Sequence, residues 1–169
     1  MERPLVLPKW PDLARGLIQA VMAAVAAIVA YLPAQQLGLQ EGFWAAITAI
    51  GVLQTELRTT SSLARDQFIG ASIGGVVGLL MLLAFGSHLL TYAAAVTLSL
   101  LTCWVIRMPS ASRLAGVTAT IILLVPHTGS PEQMFFSRFF EVGWGVCVSV
   151  ATVWIAARLG WVPRGGERR

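Results

Sequence analysis

The chain has 169 residues, 56% of them hydrophobic and only 12% charged, with a mean hydropathy of +0.73. Soluble domains carry about 25% charged residues, so the composition excludes a soluble globular domain and implies a multi-spanning membrane protein: one membrane domain and little else. The net charge of +4 calls for no nucleic-acid partner; its distribution reads as membrane topology.

The N-terminal MERPLVLPKWPDLARG has prolines at 4, 8 and 11 and an acidic Asp12. This is not the charged-then-apolar order of a signal peptide. Residues 1–14 therefore read as a cytoplasmic or interfacial segment, and the first apolar run stays as a span. A helix needs about 20 residues to cross roughly 30 Å of hydrocarbon. On that measure six segments follow in order: about 15–33, 43–57, 67–86, 89–107 after a break at Gly86-Ser87-His88, 112–126 and 139–159. The membrane domain is 15–159 and a basic tail, 160–169, closes the chain. The second and fifth segments are short. They are either ordinary helices or broken ones, which in transporters mark a binding site.

Charge orients the spans. With the N-terminus inside, Arg3, Lys9, Arg15, Arg58, Arg65, Arg107, Arg113, Arg158, Arg164, Arg168 and Arg169 are cytoplasmic, and Arg138 alone is outside. The positive-inside rule then puts both termini in the cytoplasm. Trp10, Trp104 and Trp161 read as interfacial anchors. Cys103 and Cys147 lie inside apolar runs, as reduced thiols packed like small hydrophobes, with no metal or redox spacing.

The two halves correspond. Arg65 and Arg138 each precede a glycine by five residues (Gly70, Gly143) at an offset of 73, and AAITAIGVL (45–53) aligns with AGVTATIIL (115–123) at an offset of 70. Three spans is an odd number, so a second copy would enter the membrane upside down. The fold expected is an all-α membrane protein of two inverted three-helix repeats, an architecture of transporters and channels. Gly70, Gly74 and Gly78 share one helix face and read as a packing surface that lets backbones approach, with Gly143 in a weaker stripe on the sixth span. That surface serves either within the subunit or between subunits.

Trp44-Ala45 opening the second span, then ITAIGVLQTE, then Arg65 with Gly70 and Gly74, resemble the aromatic-acid exporter and fusaric-acid-resistance superfamily. So does the second half, with RLAGVTATIILL (113–124) and Arg138 leading into Gly143. The resemblance covers roughly residues 13–160. It implies a six-helix unit of a bacterial-type inner membrane that exports small organic, often aromatic, carboxylates. Plant malate channels are distantly similar and conduct anions as dimers. Larger bacterial members carry a cytoplasmic domain after the membrane unit, whereas here only a short tail follows Arg158. That difference bears on whether the chain exports autonomously.

Ionisable residues at or in the membrane are expensive and are functional candidates. Glu56, Arg58, Arg65 and Asp66 are expected at the inner mouth; Glu41, Glu132, Arg138 and Glu141 at the outer. Arg138 and Glu141, three apart on a helix, can pair. Either they form a structural ion pair, or Arg138 receives a substrate carboxylate bidentately, with Arg65 and Arg113 doing so on the other side. Thr48, Gln54, Thr55, Thr118 and Thr120 are the polar residues between the mouths. Their hydroxyls either serve a passing anion or bond their own helix. Trp44 is an interfacial residue or a platform for an aromatic substrate. His88 and His127 are loop residues or pH sensors. Glu141, Glu56 and Asp66 are the candidates for proton coupling.

No Ser-His-Asp set, phosphate loop or metal-ligand cluster is present, so neither an enzyme, a cofactor nor an ATP-driven pump is expected. Three readings compete: an exporter of organic anions driven by the proton gradient, an uncoupled anion channel, and a structural membrane subunit of a larger complex. Six short helices give a thin wall for a path. A homo-oligomer, a dimer first, is expected among membrane lipids, with the glycine stripe of the third span or its neighbours near the contact.

Overall fold

The computed structural model describes residues 10–36, 42–125 and 130–162, and within them every regular element is helical. The order is α1 (Trp10–Gln36), α2 (Phe43–Val52), α3 (Leu57–Phe85), α4 (Leu89–Val105), α5 (Pro109–Leu124) and α6 (Pro131–Arg158). Three stretches are long and apolar enough to cross a membrane: Leu13–Gln36, Leu57–Phe85 and Pro131–Arg158. The 10-residue α2 covers only about 15 Å at 1.5 Å per residue, half the hydrocarbon thickness. Glu41, His127, Arg3, Lys9 and the tail arginines Arg164, Arg168 and Arg169 lie outside the described residues.

The helix boundaries differ from the sequence reading where polar residues stabilise helix ends. The second span stops at Val52 rather than near 57, because Leu53 turns extended (φ −68°, ψ 124°). Thr60, fully buried in the first turn of α3, holds the connector. It accepts from the Gln54 N–H at 3.0 Å and donates to the Gln54 carbonyl at 3.3 Å. α3 therefore begins ten residues earlier than hydropathy alone suggests. α6 likewise begins at Pro131 instead of about 139. Ser130 and Gln133 form a reciprocal capping box and Pro131 occupies the first turn, all of which favour helix initiation. Between α3 and α4 the expected break is a tight turn at Gly86, whose φ of +74° suits a residue without a Cβ.

Packing is organised around α3 and α6, which lie against each other. α2 packs on α1 and α6; α5 packs on α4 and α3; α2 hardly touches α3, nor α5 α6. Each short helix thus docks on the long helix of the other half. Small residues make these contacts. Ala111, Ala115 and Ala119 form a fully buried stripe on α5 that meets Gly70, Gly74 and Gly78. A Cβ on Gly70 would stand 2.6 Å from the Ala111 carbonyl oxygen, one on Gly74 would collide with the Ala115 carbonyl, and one on Gly78 would stand 3.2 Å from Ala119 Cα. The α2–α6 contact repeats the device. A Cβ on Gly145 would collide with the Ala45 carbonyl, and the buried Ser149 hydroxyl donates to the Ala49 carbonyl at 2.6 Å. With little hydrophobic drive between helices in lipid, such close backbone approach supplies the packing.

Two expectations change here. The glycine stripe of α3 is spent against α5 inside the protomer. Gly143 meets only the edge of the Phe68 ring, at an ordinary 3.4 Å, whereas Gly145 two residues on makes the close approach.

Candidate anion site

The site is built on α6. Because that helix starts at Pro131, Arg138 and Glu141 stand two to three turns inside it rather than at its mouth. Both are buried: 4% of Arg138 and none of Glu141 is exposed. A guanidinium Nη1 of Arg138 lies 3.6 Å from Glu141 Oε2. Ser137, one residue before Arg138, donates its hydroxyl to Glu141 Oε1 at 2.9 Å. The guanidinium carbon is 4.0 Å from the centre of the Trp44 ring, a cation–π contact, and Phe43 lies against the same ring at 5.2 Å. Trp44 is at the start of α2, so the α2–α6 close approach that Gly145 permits is what seats the ring over Arg138.

Removing two charges from water costs several kcal/mol per ion, and an ion pair in a membrane helix marks a functional site by default. The Trp44 indole Nε1 adds a second signal. It is buried and has no hydrogen-bond partner, although indole is a donor only. An unsatisfied buried donor costs about 1–3 kcal/mol, and a ligand oxygen would satisfy it. A guanidinium and an indole N–H together suit a carboxylate, and the adjoining aromatic faces suit an organic anion.

The other predicted residues are dispersed. Arg65 is exposed, 62% by its side chain, and its Nη2 lies 3.4 Å from Oδ1 of the buried Asp66. Thr48 is buried against Gly145 of α6, whereas Thr118 lies near Gly75 of α3, so these two do not share an interface. Thr118 donates to its own helix at the Leu114 carbonyl, 3.0 Å away, and Thr120 does so at Gly116, 2.8 Å. Gln54 sits in the α2–α3 connector. Glu56 accepts from the Thr59 hydroxyl at 2.9 Å. Arg113 and His88 are exposed. Of the candidates, then, the structure brings together Trp44, Arg138 and Glu141.

Sequence reasoning missed Ser137, Thr60, Gly145 and Ser149. Spacing was the available signal for the α6 set: Ser137, Glu141, Gly145 and Ser149 recur every four residues and share the face turned to α2. Among the described residues, no group of His, Cys, Asp and Glu could hold a metal ion.

The family model for fusaric acid resistance protein-like proteins matches residues 18–152. The chain belongs to this family. That makes it an integral membrane protein of a transport and resistance family, as the resemblance implied. The match spans α2 to α5 whole and includes Trp44, Arg138 and Glu141. No curated protein and no solved structure matches the chain.

Proposed function

We propose that the chain is a membrane transporter that exports small organic carboxylates, with aromatic ones preferred, and that Arg138 is its anion-binding residue. The observation that carries this reading is the buried Arg138–Glu141 pair roofed by Trp44. Desolvated positive charge, a spare indole N–H and an aromatic wall converge at one place. Arg65 and Arg113, both exposed, attract anions from the cytoplasmic side. Proton coupling is assigned to Glu141 ahead of Glu56 and Asp66, because Glu141 alone of the three touches Arg138.

The architecture proposed is two inverted three-helix repeats with both termini cytoplasmic. Exchanging α1, α2 and α3 for α4, α5 and α6 leaves the pattern of helix neighbours unchanged, which supports it. So does the matched close approach of Gly74 on Ala115 and of Gly145 on Ala45, at offsets of 71 and 70. A homodimer is proposed as the working unit. Its contact lies on a lipid-facing surface other than the buried glycine stripe, and native mass spectrometry in mild detergent tests it.

The deciding experiment is flux in proteoliposomes of the purified chain, with a panel of aromatic and aliphatic carboxylates, with and without a pH gradient. Arg138→Ala should abolish a flux that the wild type supports. Current indifferent to pH would make the protein a channel, and absence of any flux from folded protein would leave it a structural subunit.

A further inference from the structure

A groove of about 680 Å³ runs along the outside of the molecule between α1 and α6, a size within the roughly 300–1,000 Å³ of ligand pockets. Val21, Val25 and Val29 form one wall and Cys147, Ala151 and Ile155 the other, and all six are exposed. Thr152 and Trp144 also line it, but their polar groups are spent. The Thr152 hydroxyl donates to the Val148 carbonyl at 2.8 Å, and Trp144 Nε1 donates to the Ala30 carbonyl at 3.2 Å. The length of the groove therefore suits a hydrocarbon chain.

One end is different. Gly145 meets Ala45 and Ser149 meets Ala49, so α6 runs parallel to α2. Gly42, at the start of α2, lies against Ala34 near the end of α1, so α1 runs antiparallel to both. The Trp144–Ala30 bond then sets the register of α1 and α6. Fourteen residues on from Trp144 is Arg158; fourteen back from Ala30 is Gly16, next to Arg15. At 1.5 Å per residue both lie about 21 Å from the bond. The two arginines, both exposed, thus stand level at the same end of the groove. Arg158 shares a helix flank with Cys147 and Ala151, eleven and seven residues earlier. Its guanidinium carbon lies 5.0 Å from the centre of the Trp154 ring, a cation–π contact.

The chain is shaped at this end. Gly160 takes a φ of +77°. The Gly160 N–H then donates to the Ala157 carbonyl at 3.4 Å and the Trp161 N–H to the Ala156 carbonyl at 2.9 Å, the paired bonds of a Schellman cap. The reversal brings Trp161 back to line the groove, an aromatic ring at the level where a membrane meets water.

We infer that this groove binds an anionic phospholipid, with one acyl chain along it and the phosphate at Arg158 and Arg15. Its length of about 21 Å exceeds half of the roughly 30 Å hydrocarbon, the depth that one leaflet fills. Guanidinium groups recognise phosphate oxygens bidentately. A second copy of the chain is the poorer occupant, because a two-fold contact sets a patch against itself and two facing concavities leave a void. The site is separate from Arg138 and stands whether or not that residue binds anions.

The test is native mass spectrometry of the full chain with phosphatidylglycerol and phosphatidylcholine of identical acyl chains. Wild type should retain one phosphatidylglycerol per chain and prefer it at least about tenfold, the worth of two arginines at a lipid surface. Arg15→Gln with Arg158→Gln should bring the two lipids to parity. Ala151→Phe fills the groove from an exposed position and touches neither arginine, so it should lose the retained lipid and melt as wild type does. A phosphatidylglycerol with a diazirine on its acyl chain should label α1 and α6 beside the groove in the wild-type chain, which needs no variant to fold. Equal retention of the two lipids by wild type, a preference unmoved in the double variant, or labelling only elsewhere would overturn the site. So would oxidative cross-linking of Cys147 to the same residue of a second chain, which would put another copy in the groove.

Discussion

Arg65 and Arg138 each lie about two turns into helices of nearly equal length, 29 and 28 residues, each five residues ahead of a glycine. Yet one arginine side chain is 62% exposed and the other 4%. At the offset of 73 that relates them, Ser137 corresponds to Ala64 and Glu141 to Phe68; at the offset of 70, Trp44 corresponds to Leu114. The Arg138 set thus has a hydroxyl, a carboxylate and an aromatic ring where the positions corresponding to them have a methyl, a phenyl and a branched alkyl. Phe68 instead packs on Phe139 at 5.1 Å, filling the helix contact with apolar volume, and Arg65 reaches only its chain neighbour Asp66, at 3.4 Å, with its own side chain in the open. Shared backbone architecture therefore does not imply shared chemistry. Position gives an arginine its place, and its neighbours three and four residues away decide whether it can be buried.

The largest expected effect tests that contrast at its centre. Arg138→Ala leaves Glu141 buried beside the pair's empty half, so it should destabilise the protein by about 3–5 kcal/mol and abolish carboxylate flux. Thermal melting in detergent and proteoliposome flux would measure the two. A variant as stable as wild type would mean that the pair does not carry the charge balance assigned to it. Next come the glycines, where the halves should behave alike. Gly74→Ala and Gly145→Ala each drive a methyl into backbone of the opposing helix, and overpacking of this kind costs about 1–3 kcal/mol. Gly143→Ala, whose methyl would meet a ring edge at 3.4 Å, should be neutral or stabilising by up to about 1 kcal/mol. If Gly74→Ala lowered the melting temperature and Gly145→Ala did not, the matched packing of the two halves would fail.

Much of this was legible in sequence, for identifiable reasons. Six helices followed from apolar runs, and the stripe Gly70-Gly74-Gly78 announced a close contact by its spacing. The partner of that stripe was not legible, because the Ala111-Ala115-Ala119 face of α5 would serve equally against any neighbour. Hydropathy windows discount polar residues, so they trimmed α3 and α6 from the front and pushed Arg138 and Glu141 toward a mouth. The Ser130-Pro131-Gln133 start signal corrects that, and so restores the pair to the helix interior. Pairing of Arg138 with Glu141 was predictable from their spacing on one helix. The placement of Trp44 over it depends on how α2 docks on α6, a contact between residues about a hundred positions apart.

A smaller effect separates the two connectors. Thr60 ties the α2–α3 connector with two hydrogen bonds to Gln54, whereas α6 starts with its own capping box. Thr60→Val keeps the shape and leaves the Gln54 amide and carbonyl without that partner, at a cost of about 1–3 kcal/mol. Hydrogen exchange at residues 53–57 should rise in this variant while the start of α6 stays protected. Equal loosening at both sites would mean that the connectors are coupled through α3 and α6.

Arg65→Ala should affect stability far less than Arg138→Ala, because the side chain removed is 62% exposed and a solvent-screened ion pair is worth about 0–1 kcal/mol. Its expected influence is on approach: exposed charge steers anions from a distance and is screened by salt within about 10 Å at 0.1 M. The variant should need several-fold more carboxylate for half-maximal flux at low ionic strength, keep the same maximal rate, and lose the difference in high salt. That outcome would make Arg65 an attractor and Arg138 the binder, the asymmetry their burial implies. A flux abolished at all salt concentrations, as expected for Arg138→Ala, would instead make the two arginines equivalent in function, with Arg65 entering the path in a state other than the one in which it is 62% exposed.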